Sequence, residues 1–393
     1  YIYIYICSVF ALVWLYISLY LYQEKLMLEI ILAFISSLLI VVVAIPSVIK
    51  VSYLKHLYDV PDERKSHDKV IPTLGGLAIF AGFMISSSLC ITEQSYFNYN
   101  YLVGALMIIF FVGVKDDILI TAPIKKLMGQ LLAAIILVVL GGVRITSMYG
   151  FLGVEELRPE IASTLTVFTL VVIMNGFNLI DGINWLSAGV SIIVSSFLGT
   201  WFYLTGHVDL AIISASLVGS LLGFLWFNKT PAKIFMGDTG SLIIGLIIGV
   251  QTIFFIELSP GSSWGINSVP IVAFGILIVP LFDTLRVFVF RALNGKSPLN
   301  PDKNHIHHKL LELGFSHMKS SVLIIIFNTL FIVLVYSLRN IGSLNLLTVE
   351  VGIAGLFSFI PSIIIRRNND KRALQVVHPE HEKKSKKNNS IAS

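Results

Sequence analysis

The sequence predicts an all-α, polytopic integral membrane bundle, and three observations carry that prediction. Of its 393 residues, 55% are hydrophobic and only 13% charged, where an ordinary soluble domain is charged at roughly a quarter of its positions. The apolar residues come in blocks near the ~20 residues that one helix needs to cross a bilayer. Lysine and arginine, finally, crowd onto alternate connections between those blocks, the pattern that orients membrane helices.

The blocks fall at 28–49, 73–91, 99–115, 125–141, 161–179, 185–204, 209–227, 240–257, 268–291, 321–338 and 346–365, which makes 11 spans. A further apolar stretch, residues 1–22, is long enough to make a twelfth. It lacks the basic start and small-residue cleavage site of a secretory signal, so residues 1–27 are read as an extra apolar segment ahead of a transmembrane domain over 28–365. The remaining residues, 366–393, hold eight of the basic residues and are expected to be a disordered cytoplasmic tail. Cys7 and Cys90 both sit in apolar blocks and make neither a disulfide framework nor a metal-spaced cluster.

Charge gives the orientation. Of 28 basic residues, 23 lie on one alternate set of connections or in the tail, while the opposite set holds only Arg144, Arg158 and Arg339, with Lys25 before the first core span. The first set is therefore expected on the cytoplasmic side. The net charge of +5 follows from that asymmetry and gives no case for a nucleic-acid partner.

The polar residues that remain gather on the same side. Asp116 and Asp117 close the third core span; Asn175, Asn178, Asp181 and Asn184 surround the next basic-side turn; Asn228 and Phe235 to Asp238 occupy the third; His305, His307 and His308 the fourth. Within spans, Asp283 and Arg286 stand out as the clear charged exceptions, one helical turn apart. Ionisable groups at a membrane edge are expensive and point to function. Singly, each has a plainer reading: Asp181-Gly182 as a turn, and Gly75-Gly76 after Pro72 as a site of close helix packing. Jointly they describe a reaction centre. Asp116, Asp117 and Asp238, brought together, offer the oxygen ligands that Mg²⁺ prefers, with substrate phosphates completing its shell. No glycine-rich phosphate loop follows a strand, so metal and basic side chains such as Lys65, Lys125 and Lys126 are left to hold phosphates.

These residues make five ordered motifs: Arg64-Lys65-Ser66-His67 with Ile71 to Gly76; Asp116-Asp117; Asn175 to Gly182; Phe235 to Ser241; and Pro301 to Leu310. In that order they resemble the polyprenyl-phosphate N-acetylhexosamine-1-phosphate transferases, over about residues 45–340. The resemblance implies transfer of a sugar 1-phosphate from a UDP-sugar to a polyprenyl phosphate in the cytoplasmic leaflet of the bacterial inner membrane, with release of UMP. It implies Mg²⁺ as cofactor, with Mn²⁺ as its alternative, and a homodimer among the partners. By the same resemblance, Asp116 deprotonates or orients the lipid phosphate, and Asp117 and Asp238 form the metal side, with Asp117 also catalytic. Asn178, Asp181, Asn184, Asn228, Phe235, His305, His307 and His308 contact nucleotide or sugar, and Lys65 and Lys126 take the phosphates. One departure is at Asn184, where the family commonly has aspartate; asparagine keeps hydrogen bonding without the charge. The Arg-Lys-x-His and His-x-His-His-Lys-Leu forms favour UDP-GlcNAc over the muropeptide donor of the peptidoglycan translocase, which is the nearest alternative. Outside the enzyme class the rival is a secondary transporter, which calls for paired broken helices and mid-membrane charges.

Overall fold

A computed structural model gives the architecture, and it describes residues 2–59, 71–91, 97–119, 121–262, 266–293, 295 and 304–389. The described chain is almost entirely helical. The helices are α1 (Ile2–Leu54), α2 (Gly75–Cys90), α3 (Tyr99–Ile118), α4 (Pro123–Ile135), α5 (Pro159–Ile180), α6 (Leu186–Leu204) and α7 (Val208–Asn228). After these come α8 (Gly237–Leu258), α9 (Val269–Ile276), α10 (Ile278–Leu293), α11 (Ile306–Glu312), α12 (His317–Ser337) and α13 (Ser343–Asn389). Among the described residues, the extended backbone is one antiparallel pair, β1 (Tyr58–Asp59) with β2 (Ile71–Pro72), and a single bridge from Ser147 to Glu156. Among the described residues, eight helices are long and apolar enough to cross a membrane, or nine with the bent α9–α10 pair counted as one. The protein is thus an all-α, multi-pass membrane protein, and each of the 11 apolar blocks contains a helix.

The structure differs from the sequence reading in four places. Residues 1–22 do not form a separate twelfth span with its own turn; from Ile2 they run unbroken into α1, a helix of 53 residues and about 80 Å at 1.5 Å per residue. The block 268–291 is not one straight helix. It breaks at Leu277 with a bend of 86°. Pro280 explains where: it has no N–H and its ring collides with the carbonyl four residues back, which is Ile276, the last residue of α9. The basic tail, expected to be disordered, continues α13 as helix as far as Asn389. Finally, Asp283 and Arg286 are not the only charges inside spans. Glu350 of α13 is fully buried near Gly275 of α9, with neither carboxylate oxygen hydrogen-bonded among the described residues.

Helix α8 is the axis of the fold. It packs against α2, α3, α5 and α6 and is buried along nearly its whole length. Its N-terminus opens on the face that carries the basic connections, and the ends of α3 and α5 and the start of α4 meet it there. Two backbone approaches fix that junction. Phe235 N–H donates to the Pro72 carbonyl at 2.7 Å, while Gly75 and Gly76 donate to the carbonyls of Phe235 and Met236 at 2.9 and 2.8 Å. A Cβ on Gly76 would lie 2.3 Å from the Gly240 nitrogen, so only glycine lets α2 and α8 meet this closely. The packing reading of Gly75-Gly76 is therefore the one realised.

Candidate active site

The third, fifth and eighth helices each deliver an acidic or amide group to one point. Asp117, at the end of α3, accepts from the backbone N–H groups of Asp238 and Thr239 at 2.7 and 3.0 Å and from the Thr239 hydroxyl at 2.5 Å. It therefore caps the N-terminus of α8 from another helix, satisfying donors that a helix start leaves without intrahelical partners. Gly237 makes room for it, with a left-handed φ of 72° and a position where a Cβ would fall 2.6 Å from Asp117 Oδ1. Both oxygens of Asp117 are committed to this task.

Asp116, its neighbour, turns the other way. Its Oδ1 accepts from the Thr121 N–H at 2.9 Å and from the Thr121 hydroxyl, and its Oδ2 lies 3.4 Å from Lys126 Nζ. Lys126, near the start of α4, also touches Asn178 Oδ1 at 3.3 Å and pairs closely with Asp238 Oδ2. Asn178 in turn donates to Asp238 Oδ1 at 2.6 Å and to Ser241 Oγ at 2.9 Å. Two carboxylates and an amide oxygen thus surround a single ammonium. Asp181 follows α5, and burial, then the charges of Asp238 and Asp117, push its carboxyl well above the ordinary carboxylate range.

That shift has a measurable consequence. An acid whose folded pKa is raised binds more protons folded than unfolded, so its contribution to stability falls as pH climbs above the ordinary carboxylate value. Without divalent metal, Asp181→Asn is expected to raise the unfolding midpoint at pH 7–8 relative to wild type, and to leave it nearly unchanged at pH 4. A thermal melt at both pH values in chelator checks this; a midpoint that drops at neutral pH would refute it.

The remaining residues fall into two groups. His305 Nδ1 is hydrogen-bonded to Asp283 Oδ2 at 2.8 Å, and Asp283 Oδ1 accepts from Arg286 at 2.7 Å and from the Ile306 N–H at 3.1 Å. The Asp283–Arg286 pair therefore neutralises itself and also anchors the histidine segment to α10. His307 lies near parallel to His305 at a ring-centroid distance of 5.8 Å and is tilted by 45° to His308 at 4.2 Å. It lies against Gly182, where a Cβ would come within 2.3 Å of its Nε2. Burial, then the neighbouring His308, lowers the His307 pKa to about 3, and neither of its nitrogens has a hydrogen-bond partner among the described residues. A neutral, desolvated imidazole with unmet bonding capacity is costly unless a ligand satisfies it.

Asn228 and Asn184, by contrast, brace loops. Asn228 is buried, accepting from the Trp185 N–H at 2.8 Å and donating to the Ile234 carbonyl at 2.9 Å. It holds Trp185 in its left-handed backbone, φ 73°. Asn184 donates to Thr230 Oγ1 at 3.1 Å, and its carbonyl accepts from Ser321 Oγ at 2.6 Å. The Thr230 hydroxyl can donate as well as accept, so it would pair with an aspartate here too. Phe235 is half-buried beside Asp238, with its backbone paired to the segment before α2. Lys65, with Arg64, Ser66, His67 and Pro301 to Lys303, lies outside the described residues.

Sequence reasoning missed Thr121, Thr239 and Ser241 as the hydroxyls that hold the three key groups. Thr239 and Ser241 stand in the Phe235 to Ser241 motif and were readable as candidates; Thr121 carries no such signal.

The donor set suits a hard divalent cation. Among the described residues no three carboxylate, imidazole or thiol groups converge into a preformed metal cage. Mg²⁺ does not require one, since it is usually held by one or two carboxylates with water and substrate phosphate. Asp238 and Asn178 already present oxygens to a cation, the Lys126 ammonium.

Comparison with known proteins identifies the family. Residues 99–256 match the family model for glycosyl transferase family 4. A protein of Bacillus subtilis (strain 168) named "Probable undecaprenyl-phosphate N-acetylglucosaminyl 1-phosphate transferase" is 37% identical over 311 residues, 78% of this chain and 84% of the relative. The decaprenyl-phosphate N-acetylglucosaminephosphotransferase of Mycolicibacterium smegmatis is 33% identical, covering 67% of this chain and 71% of its own. The undecaprenyl-phosphate alpha-N-acetylglucosaminyl 1-phosphate transferase of Yersinia pestis is 29% identical, covering 75% and 80%.

Proposed function

Because the chain belongs to glycosyl transferase family 4, we propose that it transfers N-acetylglucosamine 1-phosphate from a UDP-sugar to a polyprenyl phosphate, releasing UMP. The observation that carries this reading is the convergence of Asp116, Asn178 and Asp238 on one cation position at the N-terminus of α8. The names of the relatives favour the GlcNAc donor over a muropeptide donor.

The roles divide by contact. Mg²⁺, with Mn²⁺ as its alternative, is the cofactor; when bound it offsets the charge of two anionic substrates that otherwise repel. Asp238 and Asn178 are the residues that hold it. Asp116, fixed by Thr121, orients the acceptor phosphate or takes its proton. Lys126 and Lys65 serve phosphate oxygens. His307 offers a neutral N–H to the donor, and His305 and His308 flank it. Asp181 borders the metal, and Phe235 offers a ring face to the base. Asn184 and Asn228 shape the nucleotide end through the loops they brace. Direct displacement and a two-step path through an aspartyl phosphate both fit this arrangement. The polyprenyl chain adds binding energy by apolar burial remote from the reacting phosphate. The crowding of lysine and arginine on one set of connections supports a site on the cytoplasmic face of the bacterial inner membrane.

The test uses membranes expressing the chain, radiolabelled UDP-GlcNAc and undecaprenyl phosphate, with Mg²⁺ or with chelator. Label in the organic phase only when metal and lipid phosphate are both present is the expected result. No label from UDP-GlcNAc, with label from another UDP-HexNAc, would move the donor assignment; no label from any would defeat the enzyme reading.

A further inference from the structure

Lys126 occupies a position that its own helix disfavours. It lies in the first turns of α4, after Pro123 and beside Lys125, and that first turn contains no acidic residue. A helix N-terminus carries partial positive charge, so a lysine there is unfavourable unless an outside anion compensates. Here the compensation is complete: the side chain is only 15% exposed, and its ammonium meets Asp116, Asn178 and Asp238 at once. These include the oxygens assigned to the metal. Asp117, with both oxygens on α8, offers the ammonium no alternative partner. An ammonium and a divalent ion cannot share the same few oxygens, because their mutual repulsion at such range is large in a half-buried site.

We infer that the Lys126 ammonium is a built-in counter-cation that competes with the divalent metal for Asp238 and Asn178 and is displaced when the metal binds. The inference rests on the reading of this point as the metal site. In the metal-free state Lys126 holds the carboxylates together; when the metal takes those oxygens, the flexible four-carbon stem lets the ammonium swing to a phosphate oxygen. Lys126 thereby sets a threshold for metal occupancy as well as serving a substrate.

Mn²⁺ binding to the purified full chain in detergent, followed by electron paramagnetic resonance without any nucleotide, tests this directly. Lys126→Met is expected to bind Mn²⁺ at least about tenfold more tightly than wild type, because removing the neighbouring positive charge leaves the carboxylates uncompensated. A Mn²⁺ affinity that is unchanged or weaker overturns the inference. Lys126→Gln, which keeps a neutral donor beside Asp238, is expected to move in the same direction and serves if the methionine variant fails to fold. A second readout is the unfolding midpoint: chelator is expected to lower it in the variant and added Mn²⁺ to restore it, while wild type changes little. Equal chelator sensitivity in the two proteins counts against the inference. Asp238→Asn separates the two layers. If it abolishes Mn²⁺ binding while Lys126→Met leaves affinity unchanged, the counter-cation idea fails and the metal site stands; if it binds Mn²⁺ like wild type, the metal site itself is misassigned.

Discussion

Asp238→Asn is expected to slow transfer at least about 1,000-fold in kcat at saturating Mg²⁺, some 4 kcal/mol of transition-state stabilisation. The substitution is nearly isosteric, and asparagine keeps one acceptor for the network that Asn178 and Lys126 now make with Asp238, so the fold is expected to survive it. The charge is what is lost. With only an amide left beside Asn178, the site holds a divalent ion weakly, and raising Mg²⁺ recovers little rate. Steady-state kinetics over a wide Mg²⁺ range decide the matter. A loss of less than about tenfold would remove Asp238 from the reaction centre.

Asp117→Asn is expected to act by a different route. Asparagine turns one of two accepting oxygens into a donor, which then faces either the N–H of Asp238, now bonded to Oδ1, or that of Thr239, now bonded to Oδ2. A buried donor left facing donors costs roughly 1–3 kcal/mol, so the unfolding midpoint falls by several degrees, and it falls equally in chelator. Activity drops as well, by about 100-fold, because Asp238 stands on the helix turn that Asp117 holds and small misplacements of reacting groups are that costly. The two readouts separate positioning from metal ligation. If Asp117 were a metal ligand, the metal-free protein would melt as wild type does and only Mn²⁺ affinity would suffer.

Hydropathy recorded the spans because each is an apolar block of its own, and the signal is local. The break at Leu277 was legible in principle, through Pro280 and the four-residue reach of its ring, but the continuous apolar run over 268–291 masked it. The continuity of residues 2–54 was not legible, since nothing between Gln23 and Leu28 shows in one dimension whether a turn intervenes. At the site, residue types pointed to the right neighbourhood: Asp116, Lys126, Asn178 and Asp238 meet. The division of labour between adjacent aspartates was hidden. Asp116 and Asp117 differ only in which neighbour each faces, and the partners of Asp117 lie 121 and 122 residues further on. Asn228 carried the same ambiguity, with a backbone partner 43 residues earlier. Such long-range hydrogen bonds leave no period and no spacing in the sequence.

The contact of α2 with α8 has a consequence for how this protein tolerates change. Where Gly76 meets Gly240, backbone touches backbone with no side chain between to yield. A methyl group added at Gly76 would act as a wedge, driven between the two helix starts and transmitted as a tilt of the turn bearing Asp238. Catalytic accuracy here depends partly on vacancy: on atoms absent from positions that never touch a substrate. Mutational drift that is harmless over the lipid-facing surface becomes, at these few points, a loss of aim.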